Sequence, residues 1–593
     1  MLTSPRRTRL TVTKCFGRER VGLLVLLFSA AACTQGTQID KPARDETPDR
    51  ASQEDAARGA SRNLSAAEFA TAARFVDRAD PAGLLFTYRN GEEAGHIVIP
   101  ESLGGGVGLL DYDGDGRMDV FLPGGGHFGD PLEPLGNSSG LFRNGGSLTF
   151  HNVSMNAGVA EPTQYSHGAA VADFDGDGFP DVLVTGYGGL TLHHNNGDGT
   201  FRNVAPAAGL NDRAWSSSAA WGDLTGDGHL DLYVAHYVNW SPENNPHCPG
   251  PEGTREICPP RRFQPLADLL YVNNGDGTFR DGSAEAGLRS DGKGLGVLIA
   301  DADLDGKLDV YVSNDTVSNF LYRGKGGGKL EDASMFSGTA LSDRGLPDGS
   351  MGIDLGDYDL DGLPDLWVAN YENESFALYR NRGDFFFQHA SRSTGVTAVG
   401  AMYVGWGTVF FDFDHDGDED IFVSNGHVIR YPPAAPVRQK PLLFQNDKGW
   451  FHDVASAAGE YMSQPHMGRG VAAGDLDGDG DLDLVVSHIN EPVALLTNES
   501  AGGRSWVGLR LIGRQSARDA VGALVSLRTG DKRQTRQRKG GGSYASSHDP
   551  RLFFGLGDAT RVDELEIRWP SGTVQTLHDV PAGRVVTVVE PAE

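Results

Sequence analysis

Asp111-Tyr112-Asp113-Gly114-Asp115-Gly116-Arg117-Met118-Asp119 carries carboxylates at positions 1, 3, 5 and 9 of a nine-residue stretch, with glycine at position 6. Carboxylates at alternate positions converge when the backbone curls tightly, and glycine at position 6 permits that turn. From its ninth position the chain continues as Asp119-Val120-Phe121-Leu122, which reads as a strand, because β-branched and aromatic side chains suit a pleated surface. The stretch recurs from Asp173, Asp223, Asp301, Asp357, Asp412 and Asp475, with starts 62, 50, 78, 56, 55 and 63 residues apart. All seven copies keep Asp at positions 1, 5 and 9 and Gly at position 6; position 3 is Asp in six copies and Thr225 in the third.

An all-oxygen set of this kind suits Ca²⁺, which takes six to eight hard ligands at about 2.3–2.6 Å. The expected sets are Asp111, Asp113, Asp115 and Asp119; Asp173, Asp175, Asp177 and Asp181; Asp223, Thr225, Asp227 and Asp231; and Asp301, Asp303, Asp305 and Asp309. They continue with Asp357, Asp359, Asp361 and Asp365; Asp412, Asp414, Asp416 and Asp420; and Asp475, Asp477, Asp479 and Asp483. Position 7 contributes a backbone carbonyl, so its side chain varies freely: Arg117, Phe179, His229, Lys307, Leu363, Asp418, Asp481. Up to seven Ca²⁺ are expected, the third weakened because Thr225 offers a hydroxyl for a carboxylate. The loop starts like an EF-hand, but position 12 is Leu122 or Val184 rather than Glu, and no helical pattern flanks it. Structural clamps between strands are the expected role.

Glycine stands five residues before the first Asp in six copies, at Gly106, Gly168, Gly296, Gly352, Gly407 and Gly470. Small residues there suit strands crowded around an axis. A second signature pairs an aromatic or Leu with a glycine eight residues on: Phe75 and Gly83, Phe150 and Gly158, Phe201 and Gly209, Phe279 and Gly287, Leu330 and Gly338, Phe387 and Gly395, Phe451 and Gly459. Hairpin turns such as Asn196-Gly197-Asp198-Gly199 precede several of them. The first signature precedes the first loop, and the last loop has no signature after it. The chain therefore begins with the outer strand of its own last blade, which closes a ring and leaves no free edge. The expectation is an all-β fold: a seven-bladed β-propeller over 70–498 with calcium-binding loops. These units resemble the FG-GAP/VCBS repeats of integrin-α-type propellers, and that resemblance implies Ca²⁺ between blade strands.

The formal charge is −29, and 27 of the 80 acidic residues fall on positions 1, 3, 5 and 9 of the loops, so the acidity is clustered. Such a chain meets phosphate with like charge, which excludes nucleic acid as a partner class. At the N-terminus, Arg6, Arg7, Arg9, Lys14, Arg18 and Arg20 precede an apolar run, Val21 to Phe28, and Ala30-Ala31-Ala32-Cys33. This reads as a signal peptide over 1–32, with Cys33 as the lipid-carrying residue of a bacterial lipoprotein. Residues 33–69 read as a disordered tether. Export makes Cys248 and Cys258 an expected disulfide.

After Asn498 the acidic pattern stops. Residues 499–593 alternate as a small, sandwich-like β-domain, and Gly540-Gly541-Gly542-Ser543-Tyr544, Phe554-Gly555-Leu556-Gly557 and Trp569-Pro570-Ser571-Gly572 resemble the ASPIC/UnbV domain. That domain commonly follows VCBS repeats in bacterial surface proteins and in the cartilage acidic protein family. Its basic segment, Arg528 to Lys539, reads as a solvated edge, and Arg382-Gly383-Asp384 as an incidental hairpin turn. Repeat register places Tyr165, His167, Trp215, Lys293, Asp348, Tyr403, His466 and Arg469 at one mouth of the ring, as a candidate ligand funnel. No nucleophile elbow, phosphate loop or zinc-protease helix is present. The favoured reading is an exported, lipid-anchored surface protein that recognises or adheres to a protein or polysaccharide through its propeller loops. The alternatives are a polysaccharide lyase or hydrolase using the axial funnel, or an envelope assembly scaffold.

Overall fold

Each acidic loop joins the innermost strand of a four-stranded antiparallel sheet to the next strand outward. A computed structural model describes residues 73–399, 402–500 and 502–592. The expected signal peptide, Cys33 and the tether lie outside the described residues. Blade 1 is Gly108–Leu110, Asp119–Leu122, Gly140–Asn144 and Phe150–Asn152; blade 2 is Tyr165–Ala172, Asp181–Tyr187, Thr191–Asn195 and Phe201–Asn203. Blade 3 is Ser216–Gly222, Asp231–His236, Leu269–Asn273 and Phe279–Asp281; blade 4 is Gly294–Ala300, Asp309–Asn314, Phe320–Gly326 and Lys329–Asp332. Blade 5 is Ser350–Gly356, Asp365–Asn370, Ala377–Asn381 and Phe387–His389; blade 6 is Gly405–Phe411, Asp420–Asn425, Leu442–Asp447 and Trp450–Asp453. Blade 7 is Gly468–Gly474, Asp483–His488 and Ala494–Asn498, completed by Phe75–Asp77 from the start of the described chain.

The inner strands contact one another in cyclic order, and blade 7 returns to blade 1. The outer rim repeats that order. A Cβ at Gly83 would lie 2.8 Å from Phe150 O, at Gly158 3.0 Å from Phe201 O, and at Gly459 2.2 Å from Phe75 O, so each glycine abuts the signature residue of the next blade. Apolar cores fill the wedges between blades; Phe75 packs with Phe411 and Phe413 across the closure. Arg382-Gly383-Asp384 forms a hairpin turn, with Arg382 hydrogen-bonded to Gln388.

The C-terminal domain has two sheets. One holds Ser505–Ile512 between Leu552–Gly557 and Arg584–Val589; the other runs Lys532–Gln537, Leu524–Thr529, Arg561–Arg568, Val574–Pro581. Val507, Val525, Phe554, Leu565 and Ile567 form the core between them. Residues 540–549 leave this core and enter the propeller axis. Gly540–Gly541 adds to the inner strand of blade 4, and Ser543 exchanges backbone hydrogen bonds with Ile353 of blade 5. Thr408 N–H of blade 6 donates to Ser543 Oγ, which donates to Val471 O of blade 7. Leu109 N–H of blade 1 donates to Ser547 O, Ala169 N–H of blade 2 to Ala545 O, and Ala545 N–H to Ser218 Oγ of blade 3. All seven inner strands therefore bond this plug. Its approach explains three of the axial glycines: a Cβ at Gly106 would lie 2.0 Å from Ala545 O, at Gly168 2.9 Å from Ala545 Cβ, and at Gly470 2.6 Å from Ser546 Oγ.

Candidate metal centres

The loops share one internal bonding scheme. The N–H of position 6 donates to the position 1 carboxylate, as in Gly116 to Asp111 Oδ2, Gly178 to Asp173 Oδ2 and Gly362 to Asp357 Oδ2. The N–H of position 7 donates to position 5 in all seven loops, as in Arg117 to Asp115 and Leu363 to Asp361. Position 9 is a staple. Asp119 Oδ2 accepts the N–H of Tyr112 within the loop, and Oδ1 accepts the N–H of Asn144 on the third strand; Asp181, Asp309, Asp365, Asp420 and Asp483 repeat the pair.

Whether a hard cation fits is decided by the oxygens this scheme leaves bare. Asp111 Oδ1, Asp113 Oδ1, Asp173 Oδ1 and Asp357 Oδ1 are buried without a hydrogen-bond partner. Carboxylate oxygens of Asp111, Asp113 and Asp115, of Asp173, Asp175 and Asp177, of Asp301, Asp303 and Asp309, and of Asp357, Asp359 and Asp361 lie within 4.8 Å of one another in each set. Burial, reinforced by the neighbouring carboxylates, raises Asp119 to about 8 against its staple N–H bonds, and Asp181 to about 6 against the His194 ring and the Asn195 N–H. Crowded, buried oxygens of one charge sign fit a hard divalent cation. The third loop differs. Asp223 Oδ1 accepts from Thr225 Oγ1, Gly226 N–H and Asp227 N–H, and Oδ2 from Gly228 N–H, so its first carboxylate is satisfied by its own loop.

Two further sets of residues belong to these centres and escaped the sequence reading. An asparagine stands at or next to the end of the third strand in six blades and reaches the neighbouring blade. Asn195 Nδ2 donates to Tyr112 O, Asn273 to Phe174 O, Asn381 to Ala302 O, Asn446 to Tyr358 O, Asn498 to Phe413 O and Asn144 to Leu476 O. Blade 4 has Gly324 there, and Gly328 N–H bonds Leu224 O instead. The residue before the asparagine, or before Gly324 in blade 4, addresses the loop's own carboxylates: Arg143 Nε lies 2.5 Å from Asp113, Arg380 Nη2 2.7 Å from Asp359, and Arg323 Nη2 2.5 Å from Asp303. The sequence carried a signal for the first set, because Asn144, Asn195, Asn273 and Asn381 each stand six residues before an outer-strand Phe.

The C-terminal domain covers this same face. Arg518 Nε lies 3.2 Å from Asp173 Oδ2 and Arg504 Nη1 2.8 Å from Asp414 Oδ1. Gln537 bonds both backbone groups of Asp301, and Lys539 Nζ pairs with buried Asp354. Arg536 pairs with Glu419 beside loop six, 3.2 Å away. The basic segment read as a solvated edge is thus largely an interface: Arg536 and Lys539 have acidic partners, while Lys532 and Arg533 stay exposed.

The ligand funnel is corrected. Tyr165, His167, Trp215 and Arg469 are fully buried and packed around the plug. Tyr165 Oη donates to Asn90 O, and Trp215 Nε1 donates to His167 Nε2 at 2.7 Å. Burial lowers His167 to about 3, so the ring is neutral. Arg469 stacks over Trp406 and directs its N–H groups to the carbonyls of Ser102, Gly426, His427 and Gly468. Lys293 and Asp348 are also buried, on Pro260 O and Arg344. Tyr403 is half-buried, and His466 stacks on Tyr461. An axis filled by residues 540–549 provides no funnel for a substrate. Cys248 and Cys258 are disulfide-bonded, with Cα atoms 5.3 Å apart. Among the described residues no helix is long and apolar enough to cross a membrane.

Comparison with known proteins agrees with this architecture. A model described as FG-GAP-like repeat matches residues 111–184, 173–234, 266–312, 301–368 and 357–423, and one described as FG-GAP repeat matches 467–496. A model described as ASPIC and UnbV matches 513–593. Cartilage acidic protein 1 of Xenopus tropicalis is 25% identical over 527 residues, covering 83% of this chain and 74% of that protein. The Homo sapiens protein of that name is 24% identical over 498 residues, covering 73% and 72%. Among solved structures, Saccharomyces cerevisiae Sqt1 aligns with a TM-score of 0.39 and 10% identity, covering 70% of this chain and 97% of that one. An Agrocybe aegerita lectin that recognises non-reducing terminal N-acetylglucosamine aligns with a TM-score of 0.35 and 17% identity, covering 66% and 87%. At these scores the architecture rests on the order of strands in the sheets.

Proposed function

The chain is an FG-GAP-repeat protein with a C-terminal ASPIC and UnbV domain, and from that premise we propose that it is an exported, calcium-stabilised recognition protein. The observation that carries the calcium reading is the bare, buried oxygen on the first carboxylate of loops one, two and five. Bound Ca²⁺ would neutralise the converging carboxylates and hold each loop in its curl. The protein's own contribution is the N–H scaffold of positions 6 and 7, the position 9 staple, and the asparagines that tie each loop to its neighbour. Recognition of a protein or polysaccharide at the cell surface belongs to the face opposite the loops, because the C-terminal domain covers the loop face and the plug fills the axis. The basic and apolar run before Ala30-Ala31-Ala32-Cys33 supports export, with a lipid anchor at Cys33.

The test has two arms. Unfolding is followed with Ca²⁺ and with chelator; a melting temperature indifferent to both ends the calcium reading. Pull-downs from envelope extract and on a glycan array, each with and without chelator, then address recognition. Turnover of a polysaccharide with no captured partner would replace binding by catalysis.

A further inference from the structure

On the face opposite the acidic loops lies a cavity of ≈ 270 Å³, bordered by segments that enter blades 1 and 7 and leave blades 6 and 7. Arg469 and Trp406 separate it from Tyr544 of the plug. Glu101 lies in its wall, its side chain only 1% exposed. Glu101 Oε2 is paired with Arg430 Nη2 at 2.5 Å, and Oε1 is buried with no hydrogen-bond partner. Arg430 Nε beside it is likewise buried and unpartnered. The two groups are held firmly. Asn90 Nδ2 donates to Glu101 O, and Glu256 accepts the N–H groups of Arg430 and Tyr431.

A buried carboxylate oxygen without a donor is costly and rare in a native fold, so a bare acceptor next to a bare donor points to a ligand that completes both. The charge around the cavity narrows its class. Its charges are already paired: Arg430 lies between Glu101 and Glu92, Arg438 pairs with Glu491 at 3.0 Å, and Arg469 directs its N–H groups to backbone carbonyls, which favours an uncharged ligand. Adjacent hydroxyls on one ring satisfy both vacancies, one donating to Glu101 Oε1 and the other accepting from Arg430 Nε–H. Apolar walls, among them Val437 and Ile489, suit the C–H face of such a ring. The volume falls just below the range of about 300–1,000 Å³ usual for drug-sized sites, which limits the occupant to one small unit.

We propose that this cavity binds a single neutral saccharide unit through vicinal hydroxyls placed between Glu101 and Arg430. The proposal rests on the recognition reading and names the ligand class at its free face.

The probes are neutral methyl glycosides of the gluco, galacto, manno and N-acetylgluco series, titrated into the intact protein by calorimetry, with methylammonium and a uronic acid glycoside alongside. A neutral glycoside is expected to bind. Glu101→Gln, which keeps the shape, should weaken it by about tenfold or more. Val437→Trp, which fills the cavity from a partly exposed loop, should abolish it while melting and calcium response stay unchanged. The proposal is overturned if no neutral glycoside binds in the millimolar range, if binding ignores both substitutions, or if methylammonium or the uronic acid is preferred. Protein partners still captured from envelope extract in that event would leave the recognition reading standing without a sugar site.

Discussion

Replacing Tyr544 by Ala should destabilise the whole propeller, although Tyr544 belongs to the C-terminal domain. Its ring is fully buried and meets Trp406 of blade 6 edge-on, with centroids 4.6 Å apart. Its hydroxyl oxygen accepts the N–H of Gly104 ahead of blade 1 at 3.1 Å. Truncating a buried aromatic to Ala costs about 3–5 kcal/mol. The aromatic pair adds about 0.5–1.5 kcal/mol, and a buried N–H left without an acceptor about 1–3 kcal/mol. The expected loss is roughly 5 kcal/mol or more, large against the 5–15 kcal/mol that usually separates folded from unfolded protein. Tyr544→Phe keeps the packing and should lose only the roughly 1–3 kcal/mol of the hydrogen-bond contribution. Urea unfolding monitored by tryptophan fluorescence reads the effect at Trp406 and Trp215, which line the same packed collar. A loss below about 1 kcal/mol for Tyr544→Ala, or equal losses for the two variants, would refute a load-carrying plug.

Asn195→Ala removes two donors, to Tyr112 O and Pro180 O, from a fully buried site; it should cost about 2–4 kcal/mol in urea unfolding, whereas exposed Asn196→Ala should stay within about 0.5 kcal/mol. Thr225→Asp restores the missing carboxylate of the third loop and should add one tight Ca²⁺ site by calorimetry; unchanged stoichiometry would show that the hydroxyl is not what limits that loop. Buried His167, lowered to about 3, binds its proton more weakly folded than unfolded. Its stabilising contribution is therefore present above about pH 6.5 and lost as the pH falls toward 3. In calcium-loaded protein, His167→Gln should flatten the acid limb of a stability-versus-pH curve by a few kcal/mol relative to wild type; an identical acid limb would contradict the buried neutral ring.

The propeller was legible because its signals are local. Seven copies of Asp-x-Asp-x-Asp-Gly-x-x-Asp fix seven turns, and the offset between loops and outer-strand signatures fixes the ring closure through Phe75. The plug was not legible, because its partners lie far away in sequence, Gly104 and Tyr544 being 440 residues apart. The small residues Gly540 to Ser543 are what let a strand pass down a crowded axis. The funnel failed for the same reason. Repeat register put Tyr165, His167 and Arg469 at one mouth of the ring, but register says nothing of what else packs against them. The basic segment was visible as charge; its acidic partners, Glu419 and Asp354, are brought to it only by the docked domain.

The acidic loops thus face two claimants, a cation and the arginines of the C-terminal domain, and in loops one and two the geometry keeps them from competing. Arg518 approaches Asp173 on Oδ2, the oxygen that also accepts Gly178 N–H, while Oδ1 is the bare one. Arg510 lies 3.9 Å from Asp111, again on Oδ2, with Oδ1 bare. A cation on Oδ1 and a guanidinium on Oδ2 neutralise one carboxylate from opposite sides, so loading the loop leaves the arginine its partner. Arg143, Arg323 and Arg380 act differently, because they take oxygens of positions 3 and 5, among the same converging carboxylates that would hold the metal. Domain docking is therefore compatible with cations in loops one and two, whereas Arg504, on Asp414 Oδ1 of loop six, and the third-strand arginines of loops one, four and five would temper how strongly those loops hold a cation.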